Sequence, residues 1–314
     1  MVENSIHETP GGSHPDKPAA AFTPLLTTRD WNEEWKELQK ARRAADDASH
    51  WDKRAATFGS KDAPNPYVER FLKLAAIRPG ESVLDMGCGT GALSMPLGAA
   101  GHLVVAADFS RGMLGVLEGE LAERGIASVT PKLMSWEDDW AAHGVLPGSV
   151  DVAVASRSIA VADLEEALLR LTDVARRRVC VTLATGSSPR PDERILNAMG
   201  LSSVLGRDYL YAFNILANEG LRPEVSYIDS ERTDTFDSLD DAYDAFARMA
   251  DDAVGATVGA EERAEAFGRL RCWLEENLVP NERAGQPDKK GLPEKSLRLR
   301  EPRTVTWAFI AWNK

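Results

Sequence analysis

Val83-Leu84-Asp85-Met86-Gly87-Cys88-Gly89-Thr90-Gly91-Ala92-Leu93 decides how this chain is read. An apolar run ends at Met86, glycines then alternate at 87, 89 and 91, and a helical stretch opens at Ala92. The segment therefore reads as strand, turn and helix start. Each missing side chain permits a positive φ or lets a ligand approach the backbone, which is how a cofactor loop is built. The spacing leaves the ligand open, because Gly87, Gly89 and Ala92 also fit the G-x-G-x-x-G/A pattern of dinucleotide-binding turns.

Two carboxylates narrow that choice. Asp85 lies two positions before the first glycine, at the strand's carboxyl end, where it repels a pyrophosphate and favours the ammonium and sulfonium of S-adenosylmethionine. Asp108 ends the next apolar run, 21 positions after Gly87. An acid there is placed to accept hydrogen bonds from ribose hydroxyls; the plainer alternative is a helix-start charge before Arg111.

Working outward, short β-branched runs alternate with helical stretches from Glu81, the pattern of a parallel sheet covered by helices on both faces. Strands are expected at Ser82 to Met86, Leu103 to Ala107, Ser128 to Leu133, Val150 to Ala155 and Val179 to Leu183. Helices are expected at Ala92 to Ala100, Arg111 to Arg124 (with Ser110 as N-cap) and Asp163 to Val174. Later, Asp208 to Glu219 reads as a helix. Pro223 to Ile228 and Thr304 to Trp312 read as an antiparallel pair at the sheet edge. The fold class is α/β: a doubly wound, Rossmann-like, mostly parallel seven-stranded sheet with an antiparallel last strand, N-terminal helices and a late helical insertion. The expected layout is a disordered tail at 1–28, N-terminal helices at 29–80 covering donor or substrate, a core at 81–229 plus 304–314, and a helical insertion with a loop at 230–303. Within the insertion, stripes at Leu239, Ala242, Tyr243 and Phe246 and at Phe267, Leu270, Leu274 and Leu278 fit either a substrate-facing lid or a cover for the sheet edge.

A net charge of -12 disfavours a polyanionic partner such as nucleic acid. The locally basic stretch Arg283 to Arg303 is interleaved with acids and reads as a solvated loop. Three scattered cysteines fit free thiols in a reducing compartment, and no histidine or cysteine spacing fits a metal site. No membrane-spanning apolar run or secretory signal is present, so a cytoplasmic location is expected.

Val83 to Leu93 resembles the first motif of the class I S-adenosylmethionine-dependent methyltransferases, with Asp85 as its acidic member. Val105-Ala106-Ala107-Asp108-Phe109-Ser110-Arg111-Gly112-Met113-Leu114 resembles the second. The resemblance covers about Trp51 to Leu183 and leaves the tail and the late insertion unexplained. It implies that Gly87, Cys88, Gly89 and Gly91 belong to the donor loop, the glycines lining the methionine part. Asp108 would hold the ribose, and Phe109 or Met113 would pack near the adenine. Where the family has a Gly-Asp-Ala-like turn, this chain has Met134-Ser135-Trp136-Glu137-Asp138-Asp139. Ser135 thus replaces the usual acid, Trp136 is left to stack on or hydrogen-bond near the ring, and Glu137 to supply the acceptor. Ala155-Ser156-Arg157-Ser158 occupies the place the family sets beside the transferred methyl; Ser156 joins the donor candidates. Arg157 either orients an anionic substrate or pairs with the acidic insertion. Trp51 to Phe58 resembles the helix that many small-molecule members lay over the donor, which would bring Arg54 to the donor carboxylate; packing of Trp51 and Phe58 into the core explains the same pattern.

Methyl transfer is an in-line displacement from an activated donor, so a general base is optional. His50, Asp52, Tyr67, Tyr209 and Tyr211 are possible bases, but no spacing selects one, and the catalytic residue is left unassigned. Acids crowd Asp229 to Asp252, which suits a cationic acceptor or simply a solvated helix face. The expected function is S-adenosylmethionine-dependent methylation of a small molecule. Methylation of tRNA or protein, donor binding without turnover, and nicotinamide-dependent oxidoreduction are the alternatives.

Overall fold

The computed structural model describes residues 30–42, 48–55, 65–186, 191–201, 207–254, 259–288 and 292–314. The expected tail at 1–28 and Phe58 lie outside them. Three helices come first: α1 (Trp31–Ala41), α2 (Ala48–Arg54) and α3 (Pro66–Ala75). The alternating part follows as β1 (Val83–Met86), α4 (Ser94–Ala99), β2 (Val104–Asp108), α5 (Arg111–Arg124), β3 (Val129–Leu133), β4 (Val150–Ser156), α6 (Leu164–Val174) and β5 (Ala175–Ala184). The helix starts follow side-chain chemistry. Ser110 accepts the Met113 N–H at 3.1 Å ahead of α5, and Asp163 accepts the Glu166 N–H at 3.1 Å ahead of α6.

After β5 come α7 (Glu193–Met199), α8 (Asp208–Asn218), β6 (Glu224–Arg232), β7 (Thr235–Phe236), α9 (Leu239–Val254), α10 (Ala260–Asn277), β8 (Leu278–Pro280), β9 (Leu297–Leu299) and β10 (Arg303–Asn313). The main sheet has seven strands in the order β3-β2-β1-β4-β5-β10-β6. All pairings among β1 to β5 are parallel, whereas β10 runs antiparallel to both β5 and β6. β10 is therefore an inner strand, and only β6 of the expected late pair lies at the edge.

Strand periodicity sorts the core into two layers. Leu84, Met86, Ala153 and Ala155 face one side, packed with Leu164, Leu168 and Leu171 of α6 and with Trp35 of α1. Val83, Val152 and Val154 face the other, with Phe71 of α3 and Leu114 and Leu117 of α5. The apolar stripe of α1 docks through fully buried Trp35, whose indole N–H donates to the Val161 carbonyl at 2.8 Å.

The late insertion holds short strands as well as helices and a loop. α9 and α10 share a third apolar cluster with α7 through Ile195, Leu196 and Met199, although α7 precedes β6 in the chain. A three-stranded sheet, β7-β9-β8, accompanies them. Arg283 to Arg303 is correspondingly more than a solvated loop: it contains β9, and Arg283, Lys295 and Arg298 pair with Glu294, Asp241 and Glu282. These elements are too short to give a sequence period: β7, β8 and β9 have two or three residues each, and α7 seven. Among the described residues no helix is long and apolar enough to cross a membrane.

Candidate functional site

The strand order reverses at β1, which has β2 on one side and β4 on the other, so a crevice must open beyond the carboxyl ends of these strands. A cleft of about 1640 Å3 lies there. Single-ligand pockets run to about 300–1,000 Å3, so this one has room for a donor and an acceptor side by side. All the candidate donor residues line it except Gly91.

The glycine loop is built by backbone geometry and anchored by two carboxylates. Gly87, Gly89 and Gly91 all have positive φ, at 72°, 55° and 88°. Gly87 also permits close packing: a Cβ there would sit 2.3 Å from Ser158 Cβ, which ties the loop to the segment after β4. Asp108 accepts the Gly89 N–H at 2.8 Å and the Ser110 N–H at 2.9 Å, each with a different oxygen. Each oxygen keeps a lone pair for a ligand hydroxyl. Burial pushes the Asp108 carboxyl above its ordinary range, despite those backbone hydrogen bonds.

Asp85 has a second task beyond the one its position suggests. It is only 2% exposed, and its carboxylate accepts the Ser94 hydroxyl at 2.6 Å, joining the strand end to the start of α4. Burial raises its pKa to about 6, and the nearby Asp108 charge adds to the shift. Cys88 is buried beside both acids, and its thiol pKa is driven well upward, mainly by burial. Gly91 is a correction: a Cβ there would meet Leu117 Cδ1 at 2.4 Å, so this glycine serves loop-to-α5 packing and faces no ligand space.

On the adenine side of the resemblance, Phe109 is 40% exposed in the cleft and Met113 lies buried behind it. Trp136 lines the cleft too, but its indole N–H donates to the Ser158 carbonyl at 3.0 Å, so it offers a ring face and no hydrogen bond to a purine. Asp138 accepts the Ser135 N–H at 2.8 Å, and Arg170 binds the carbonyls of Trp136 and Asp138. These contacts stiffen the turn and leave Glu137 as its carboxylate on the cleft.

The N-terminal helices form the roof. Asp52 of α2 accepts the Ser110 hydroxyl at 2.6 Å and the Gly112 N–H at 2.8 Å, so α2 is latched to the first turn of α5. Those hydrogen bonds hold the Asp52 carboxyl below its ordinary range, which removes it as a base near neutral pH. Arg54, on the same helix, lines the cleft with its guanidinium over the Trp51 ring at 5.7 Å. His50 also lines the cleft. α1 adds Lys36, Gln39 and Lys40, with Arg42 just past its end. Only where its apolar side docks reveals that its polar side forms this wall.

Beyond β4, Tyr67 of α3 sits on the cleft with its hydroxyl 2.7 Å from the Ser156 hydroxyl and 2.8 Å from that of Thr182. Burial raises the phenol pKa, so Tyr67 is a poor base. Tyr211 donates its hydroxyl to Glu34, Tyr209 accepts that of Tyr227, and neither lines the cleft. Arg157 adopts φ 60°, rare for a residue with a side chain, and stacks its guanidinium 4.2 Å over the Tyr67 ring.

The acidic insertion also departs from expectation. Asp234, Asp237, Asp240, Asp241 and Asp251 are paired with Arg232, Lys295, Arg271, Lys295 and Arg263. The part of α9 that meets the cleft is Ala245, Arg248 and Met249. The insertion thus reaches the site with an apolar and basic face, and these five acids have structural partners. Among the described residues no cluster of three or more His, Cys, Asp or Glu side chains fits a metal.

Residues 83–178 match the model of a methyltransferase domain family. The chain is 28% identical over 265 residues to an uncharacterised protein of Haemophilus influenzae, covering 84% of this chain and 88% of that one. It is 35% identical over 133 residues to nocamycin O-methyltransferase of Saccharothrix syringae, covering 41% of this chain and 46% of that enzyme. It is 40% identical over 88 residues to the ubiquinone biosynthesis O-methyltransferase of Thiobacillus denitrificans, covering 28% and 36%. The matched region thus spans less than half of each of these two named enzymes. The match holds β1 through the start of β5, and with them the glycine loop, Asp108 and the switch point. Residues 83–178 thus match a methyltransferase domain, in keeping with the resemblance of the glycine loop and Asp108 to the class I S-adenosylmethionine-dependent methyltransferases.

Proposed function

We propose that this protein binds S-adenosylmethionine at the β1–β2 side of the cleft and transfers its methyl group to a small-molecule acceptor. The observation that carries the reading is the convergence of the glycine loop, Asp85 and Asp108 on a cleft large enough for two ligands. The donor set suits an adenosyl group: Asp108 has free lone pairs for ribose hydroxyls, Phe109, Met113 and Trp136 give apolar and aromatic surface to a purine, and Glu137 is an acceptor for its amino group. Asp85 provides negative potential near the donor's cationic groups, and Arg54 provides positive potential for its carboxylate.

When bound, the donor supplies a methyl group already activated on a sulfonium. The protein's own share is to hold the acceptor in line and to exclude water. The α2 latch on α5, the wall from α1 and the α9 face all serve that purpose. Tyr209 and Tyr211 are absent from the cleft, and Asp52 and Tyr67 are held in hydrogen bonds to other side chains or backbone, which favours alignment over proton abstraction as the main source of rate.

A small acceptor suits an inward cleft walled by three helices, and the net charge of -12 opposes tRNA. Free thiols at Cys88, Cys180 and Cys272 suit a cytoplasmic setting. The test is calorimetric titration with S-adenosylmethionine, S-adenosylhomocysteine and NAD, followed by transfer of labelled methyl to small-molecule, tRNA and protein pools. Binding of the adenosyl ligands without NAD, and label in the small-molecule pool, is the expected result. Selective NAD binding would return the loop to a nicotinamide enzyme, and adenosyl binding without any transfer would make the protein a non-catalytic binder.

A further inference from the structure

Apart from Arg54, which the donor reading uses, the Lys and Arg side chains that line the cleft divide into two groups. Lys36 pairs with Glu33 and Asp163, Lys40 with Glu37, and Arg42 with Asp208. These are structural charges, already neutralised. Arg157 and Arg248 are different: both are exposed, both line the cleft, and among the described residues neither has a carboxylate at ion-pair distance.

Arg157 is held in place with unusual care. Its backbone N–H donates to Thr182 Oγ1 at 2.9 Å, its φ of 60° is unfavourable for a residue with a side chain, and its guanidinium rests on Tyr67 with Trp307 at 5.9 Å. The Tyr67 platform is itself fixed by Ser156 and Thr182. A strained backbone that presents a stacked guanidinium, with no carboxylate partner, at the end of β4 is a feature for which packing supplies no reason. Stacking occupies the face of the guanidinium and leaves its N–H edge available for bidentate contact with an oxyanion.

The α9 part of the lining agrees. The cleft-facing residues of α9 are Ala245, Arg248 and Met249, and Met249 Sδ accepts the Asp192 N–H at 3.1 Å, which fixes α9 beside Pro191. An apolar surface flanked by two cations without carboxylate partners is complementary to an apolar molecule with one acidic end. Five of the insertion's acids, Asp234, Asp237, Asp240, Asp241 and Asp251, are engaged with Arg or Lys, which weakens the attraction they offer a cationic acceptor.

We infer that the methyl acceptor is an apolar small molecule carrying an anionic group, a carboxylate or a phosphate, which Arg157 and Arg248 bind while its body lies against Ala245, Met249 and Pro191. This rests on the reading of the cleft as a methyltransferase site and names its substrate class. Arg157 and Arg248 are specificity residues of the acceptor half; the donor half is served by Asp108 and the glycine loop.

The experiment uses the full chain saturated with S-adenosylhomocysteine, whose own binding isotherm tests the donor reading separately. 4-Hydroxybenzoate, 4-hydroxycinnamate, decanoate and phenyl phosphate are then titrated beside the corresponding neutral amides and phenol. At least one acid binds and its neutral counterpart does not; the phenyl phosphate arm separates phosphate from carboxylate recognition. Arg157→Gln and Arg248→Gln each weaken the acid about tenfold or more while S-adenosylhomocysteine affinity stays within about twofold. Arg157→Gly suits the positive φ and so separates loss of charge from loss of fold, and Arg157→Lys recovers part of the affinity. Equal binding of acids and neutral compounds, no binding of any acid, or equal loss of acid and S-adenosylhomocysteine in the Arg157 variants overturns the inference. If S-adenosylhomocysteine fails to bind the unmodified protein, the donor reading falls, and the acid titrations on the unliganded protein still decide whether the two arginines form an anion site.

Discussion

The carboxylate of Asp108 accepts the backbone N–H of Gly89 at 2.8 Å, so the residue that ends β2 also holds the loop that leaves β1. One side chain thereby shapes the loop and faces the ligand, and its loss should register in both. Asp108→Asn turns one acceptor into a donor facing the N–H of Gly89 or Ser110. A hydrogen bond to a charged group is worth about 2 kcal/mol, so S-adenosylhomocysteine affinity should fall roughly thirtyfold, with a drop of several degrees in Tm. Calorimetry and thermal unfolding on the same samples check it, and an unchanged isotherm would remove Asp108 from the ligand.

Gly112 couples the roof to the adenine side. A Cβ there would approach Asp52 Cα to 2.9 Å, and the obstacle is backbone, so α2 must move. Gly112→Ala also improves helix propensity by about 1 kcal/mol, so global stability should hold or rise slightly. Meanwhile the latch through Asp52 loosens. Hydrogen exchange should accelerate in residues 48–55, and donor affinity should fall several-fold. Faster exchange throughout the chain would instead indicate general destabilisation.

Much of this architecture is legible in the sequence, for a physical reason. Val83 to Met86 and Val150 to Ser156 are largely buried strands and read as short, mostly apolar, Val-rich runs, and the glycines need their positive φ whatever surrounds them. Asp108 is readable because a parallel sheet fixes where the second strand must end relative to the first loop. Gly91 misleads because a glycine needed for helix packing and one needed for a ligand look alike in a sequence. The pairing of Asp237 and Asp241 with Lys295 spans more than fifty residues, and no local pattern reports it. The same holds for Arg157: its type was visible, but whether it meets the insertion's acids or Tyr67 depends on tertiary contacts alone.

Asp85 predicts a particular pH dependence. Its pKa is raised from 3.8 to about 6 by burial, so between those values the folded protein retains a proton that the unfolded chain releases. This carboxyl's contribution to stability therefore declines as pH rises through that window and stays lost above it. The shift corresponds to about 3 kcal/mol. Asp85→Asn keeps an acceptor for the Ser94 hydroxyl and removes the titration. Denaturant unfolding at pH 4, 5, 6 and 7 should give a difference between variant and parent that grows with pH, with the variant gaining most at pH 7. Asp108 shifts in the same direction and its charge adds to the Asp85 shift, so the difference reports Asp85 together with its coupling to Asp108. A difference independent of pH would mean that Asp85 is not the group that titrates.

The contact between Gly87 and Ser158 allows the loop's two constraints to be separated. Gly87→Ala places a Cβ 2.3 Å from Ser158 Cβ and puts a side chain at φ 72°. The positive φ costs roughly 1–2 kcal/mol, and overpacking adds about 1–3 kcal/mol. Ser158→Gly alone loses the hydrogen bond from its hydroxyl to the Met86 carbonyl, 2.7 Å long, worth about 1 kcal/mol. In the double variant the overpacking disappears and only the φ cost and the lost hydrogen bond remain. The four proteins of the cycle should therefore be non-additive, the double variant being more stable than the sum of the single losses by about 1–3 kcal/mol. Equilibrium unfolding measures each corner. Additivity within about 0.5 kcal/mol would mean that the loop yields to the new methyl without pressing on Ser158, and that the positive φ at Gly87 is the whole reason for glycine there.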